Sequence, residues 1–224
     1  MSEVNFQRTY QLRDEYETIK ERAEQVLGNY LEYPDLITFR DVNRSVIFKS
    51  ERLIPTVSTN RPRIIFLFSN PHPHSVHQGM FLSPNIKGGE NPFWSTMRDA
   101  GWISFTQEIT GPEQLADLCL RARYDGPFEF VFYCYYAFPT RYPKDIKKIF
   151  GRKYFNQEIE PEDRENFRRT IEESGVQAVV TFNKGIFNQV SRDPVKRYID
   201  NLVRNELVHS RVKAVDVEIP IYLT

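Results

Sequence analysis

Asn70 and Pro71 close an uninterrupted apolar run, Ile64-Ile65-Phe66-Leu67-Phe68, and open a polar loop through Ser69. A carboxamide beside a proline-fixed backbone is suited to orienting water or a ligand. It is a poor base, so it would serve a slower route than a carboxylate would. An Asn-Pro pair also makes an ordinary Asx turn, and that reading stands beside the chemical one. The loop carries three of the chain's four histidines, His72, His74 and His77. Histidines at i and i+2 on an extended loop can chelate. No cysteine or carboxylate follows closely to complete a tetrahedral set, so no metal is expected, and His72 and His74 read instead as loop residues near phosphates. Lys144, Lys147, Lys148, Arg152 and Lys153 form a basic cluster, by default a solvated face and alternatively a contact for a nucleic-acid backbone.

These groups need a scaffold. Runs at 63–68, 128–134, 176–182 and 219–223 read as buried strands, and 207–215 as an extra one. Helices are expected at 8–31, 92–100, 112–123, 143–150, 162–174, 184–190 and 194–206. Asn91 suits an N-cap, Pro92 a first helical position, and Gly101, Gly151 and Gly175 helix stops. Strand–helix alternation predicts an α/β fold: three layers, α/β/α, around a mostly parallel four-stranded sheet. The first 60 residues, with Tyr16, Ile19, Ala23, Val26, Leu27 and Tyr30 at helical spacing, read as a helical extension packed on a 61–224 domain. In a parallel sheet the segments Ser69-Asn70-Pro71, Tyr135 to Thr140 and Phe182-Asn183-Lys184 share one edge.

The 30 basic and 30 acidic residues cancel, so any nucleic-acid binding must be local. Aromatics at 14% imply a well-filled core or stacking surfaces for flat ligands. Cys119 and Cys134 sit in apolar surroundings and read as buried thiols in a reducing compartment. There is no run long enough to span a bilayer and no signal-peptide pattern, so a soluble, cytoplasmic protein is expected.

The motifs in their order resemble the uracil-DNA glycosylase superfamily, most closely its mismatch-specific branch. That branch carries Gly-x-Asn-Pro, then a Phe, then Asn-x-Phe-Trp, Ala-Gly, Pro-Thr and Leu-Gly-Lys. Here Phe68-Ser69-Asn70-Pro71, Phe81, Asn91-Pro92-Phe93-Trp94, Ala100-Gly101, Pro139-Thr140 and Phe182-Asn183-Lys184 stand in that sequence. The resemblance covers about residues 62–224. It implies a DNA partner, no cofactor, and a hydrolase that flips a uracil-type base and releases it by water attack at the glycosidic bond. Asn70 would position the water; Phe81 would stack on the base, with Ser69, Pro71, Tyr135 and Tyr136 around it; and His72, His74, Lys184, Lys144 and Lys148 would meet the DNA backbone. Phe68 and Asn183 replace family glycines, and Tyr135-Tyr136 stands where many members read uracil with an Asn. The family's last motif, His-Pro-Ser or Asn-Pro-Ser, would begin at Thr224. Either the chain runs on into it or the domain does without that part of the site. The alternative function is a non-catalytic module of this fold that binds a nucleotide, nucleic acid or protein.

Overall fold

The computed structural model describes residues 4–33, 35–84, 89–196, 201, 203, 204, 206–213 and 218–224. The apolar runs form β4 (Arg63–Phe68), β5 (Glu129–Cys134), β6 (Ala178–Thr181) and β8 (Pro220–Leu223). They pair in parallel in the order β5-β4-β6-β8. Such strands are covered on both faces, which is why their sequences are continuously apolar instead of alternating. β7 (Val208–Arg211) adds antiparallel to β8. Of the helix expected over 194–206, residues 197–200, 202 and 205 lie outside those described.

The first 60 residues depart from the expected helical extension. They contain β1 (Asn5–Gln11), α1 (Tyr16–Leu27), β2 (Ile37–Arg40) and β3 (Ser45–Leu53). β3 pairs antiparallel with β1, β2 and β5, so the sheet has eight strands and the parallel four are its centre. The helix expected over 8–31 starts only at Tyr16, and residues 8–11 belong to β1. That segment alternates: Tyr10 is buried while Gln7, Thr9 and Gln11 are less so, a period of two that half-polar composition obscures.

The helices are α2 (Pro73–Gln78), α3 (Pro92–Asp99), α4 (Pro112–Leu120), α5 (Pro143–Phe150), α6 (Arg152–Tyr154), α7 (Glu160–Ser174) and α8 (Lys184–Val190). Asn91 caps α3 by accepting from Phe93 N at 3.1 Å. Gly151 and Gly175 end α5 and α7 at positive φ, 72° and 65°. A π turn over Phe155–Ile159 leads into α7. Two hydrophobic layers result. One joins α1, α5 and α7 to the sheet face bearing Ile65, Leu67, Val131 and Val179. The other joins α3 and α4 to the face bearing Ile64, Phe66, Phe130 and Phe132.

Before β5 the chain passes so close to the Trp102 carbonyl that a Cβ on Gly126 would run into it. Gly126→Ala should therefore destabilise the fold by about 1–3 kcal/mol, the usual cost of forcing an extra carbon against packed atoms. Thermal unfolding against the wild type reads this directly.

Candidate functional site

β4 has β5 on one side and β6 on the other. The loops leaving β4 and β6 therefore diverge at the point where α/β sheets open a crevice beyond their strand ends. Asn70 sits there, half-buried. Its Nδ2 donates to the Thr140 carbonyl at 2.6 Å, to Thr140 Oγ1 at 3.0 Å and to the Pro71 carbonyl at 3.2 Å. Carbonyl oxygens only accept, so the amide can point only one way. Oδ1 faces away from Thr140 and takes a bond from Ser69 Oγ at 3.1 Å, leaving acceptor capacity for a further donor. Thr140 is held in turn: its hydroxyl donates to the Tyr142 carbonyl at 2.9 Å and its N–H to the Pro71 carbonyl at 3.1 Å. Tyr135 N and Tyr136 N bond to the carbonyls of Phe68 and Ser69, zipping the two strand-end loops together.

This loop pair is anchored from the N-terminal region. Asp163 of α7 accepts from Arg8 Nη1 at 2.9 Å and Tyr10 OH at 3.0 Å on β1, and from Ala137 N at 3.2 Å. Burial lifts the Asp163 carboxyl to about 7 despite these three donors, because desolvation outweighs the pull of Arg8.

The aromatic residues lie differently from the expected arrangement. Phe81 is 2% exposed, with Phe68 and Phe132 each 5.8 Å away between ring centroids. Phe68 packs against it, so the Phe81 ring is not open to a base as it stands. Tyr135 and Tyr136 are core residues facing the α7 layer, not the strand-end edge. Tyr135 OH donates to Glu160 Oε1 at 3.0 Å, its ring meets Phe167, and Tyr136 meets Phe155. β5 ends at Cys134, so strand alternation no longer separates the two tyrosines. Burial pushes the Tyr136 hydroxyl up to about 12.

The ring that does reach the edge is Phe182, 51% exposed and stacked on Phe66 at 5.9 Å. It borders an apolar hollow of about 480 Å³ shared with Phe66, Phe93, Trp102 and Val180. Its position at the end of β6 is the signal the sequence carries for it.

His72 caps α2 through Nδ1, accepting from His74 N at 3.2 Å. Burial, reinforced by His74 and Arg141, lowers its pKa and favours the neutral ring. His74 Nε2 lies 3.0 Å from the Pro84 carbonyl, and His77 stacks on Tyr33 at 4.4 Å. All three fasten the loop. Lys184 is tied to the Lys196 carbonyl, and Asn183 caps α8 through Ile186 N at 3.1 Å. Lys144 and Lys148 lie on the exposed side of α5. Among the described residues no group of three His, Cys, Asp or Glu is placed to hold a metal ion, and no helix is long and apolar enough to cross a membrane. No protein-family model and no curated protein matches the chain.

Proposed function

We propose that the chain is a nucleic-acid-binding hydrolase of glycosylase type, in which Asn70 Oδ1 orients a water for attack at the glycosidic bond of an extruded, uracil-type base. The fixed orientation of the Asn70 amide carries this reading. A carboxamide whose N–H₂ end is fully spent on Thr140 and Pro71 presents an acceptor at the strand-end crevice, and an acceptor is what holds a water by its hydrogen. Such a group orients without strongly deprotonating. That suits a reaction whose transition state gathers positive charge on the sugar before water bonds. Phe182, the exposed ring, is the stacking partner in this reading, and Phe68 would shift to admit a base.

A second reading, a non-catalytic module binding nucleic acid, nucleotide or protein, is favoured by the packing of Phe68 over Phe81. Oligonucleotides containing uracil, hypoxanthine or a mismatched thymine separate the two. The hydrolase reading expects abasic sites on at least one of them, with a rate that falls about 100-fold or more in Asn70→Ala. Absence of product from folded wild-type protein on every substrate would leave the binding module.

A further inference from the structure

The chain's charges balance overall, yet one surface carries an excess of cations. Most arginines elsewhere meet carboxylates: Arg8 with Asp163, Arg63 with Glu129, Arg98 with Glu90, Arg168 with Glu165 and Glu172. Between the end of the β5 loop and α6 the pattern stops. Among the described residues Lys148 pairs with Asp145 at 2.7 Å, while Arg141, Lys144, Lys147, Arg152 and Lys153 pair with no carboxylate. Helix geometry explains the placement. Ile146, Ile149 and Phe150 turn inward on α5, which leaves its lysines on the outer face.

Two of these cations, Arg141 and Lys144, line one wall of a cleft of about 750 Å³ together with the Lys148–Asp145 pair; the other wall is the turn following α1, whose one carboxylate in the lining is Glu32. Arg141 and Lys144 stand 5.1 and 5.4 Å from the Tyr142 ring, which is 46% exposed. Tyr30 and Tyr33 face them from the opposite wall, set by ring contacts to His72 and His77. One exposed ring with two unpaired cations beside it, facing two half-buried tyrosines, matches what a single strand offers, accessible base faces beside phosphates. A duplex hides its base faces in the stack. Thr140 ties the cleft's wall to the candidate site, since it bonds both Asn70 and the Tyr142 carbonyl.

We infer that the cleft between α5 and the turn after α1 is a single-stranded nucleic-acid site, holding the nucleotides next to the one presented at Asn70. The inference rests on the nucleic-acid reading for its ligand class, but not on catalysis. It also gives the first 60 residues a binding role, because they supply the tyrosine wall.

Fluorescence anisotropy with a labelled, undamaged oligonucleotide tests it, single-stranded and as a duplex of the same sequence, at low and moderate salt. The wild type is expected to bind the single strand more tightly. Arg141→Glu with Lys144→Glu should weaken binding at least about 10-fold and flatten its salt dependence by roughly 0.7 in log–log slope per cation removed. Tyr142→Ala should weaken it about 5-fold or more. These positions are exposed, and unchanged melting temperatures would show that the variants fold. No single-strand binding, tighter duplex binding, or indifference to both variants would overturn the inference. Binding lost in the variants, without base release by the wild type, would support the cleft while removing the hydrolase reading. Base release from wild type and variants alike, with unchanged strand affinity, would do the reverse.

Discussion

Phe132→Ala is expected to be among the most damaging single substitutions in this protein, at about 3–5 kcal/mol. The ring is fully buried on β5 and has Phe66, Phe68, Phe81, Phe93 and Trp94 around it, with centroids 5.6 to 6.3 Å away. Removing it deletes the transfer free energy of a whole aromatic side chain. It also leaves a cavity that rings held on β4, on α3 and in the segment after α2 cannot readily collapse into. For a chain of this size the melting temperature should fall by roughly 10 °C. Phe132→Leu, which refills most of the volume, should cost much less. Loss of equal size in both would show that ring–ring geometry and not cavity volume dominates. Because Phe68 rests on this cluster, Phe132→Ala should also loosen the cover over Phe81, read as an increased affinity for flat aromatic dyes.

The aromatic abundance of the sequence pointed to such a core but could not say which rings were in it. The parallel strands were legible because burial on both faces leaves an unmixed apolar run. β1 was not, since one covered face among polar residues alternates too weakly to stand out beside a strong helix such as α1. Asn70 was legible as a position. Its orientation was not, because that depends on Thr140, 70 residues away, brought alongside only when β4 and β5 pair. The same pairing explains why Tyr135 and Tyr136, placed by motif at the pocket, instead face the α7 layer. Phe182 shows the converse: an aromatic at a strand end is ordinary in sequence and is exposed here by where the sheet turns its edge.

β3 carries a buried group that no motif announced. Glu51 on β3 is 3% exposed, and its Oε2 has no hydrogen-bond partner. Its cross-strand partner is Asn5, whose Oδ1 is likewise buried and unpartnered. Directly paired residues on neighbouring antiparallel strands share a face and can touch. Two buried acceptors in register, neither with a donor, would both be satisfied by one shared proton. Burial drives the Glu51 carboxyl well above its ordinary range, so the folded protein keeps that proton where the unfolded chain has released it. An unfolded glutamate ionises near pH 4.3. Stability from this site is therefore complete below about that pH and declines as pH rises towards the folded value, because the unfolded state then binds fewer protons than the native one. Glu51→Gln supplies a permanent N–H for Asn5 Oδ1 and removes the titration. It should stabilise the protein by about 1–3 kcal/mol at pH 8, the scale of one buried polar atom left unsatisfied, and have little effect at pH 4. Denaturant unfolding across that range distinguishes the outcomes: parallel curves for wild type and variant would mean that Glu51 is ionised in the fold, with a buried partner for its charge. Converging curves towards acid would place the proton on Glu51, on the same sheet face as Cys134 and Phe68.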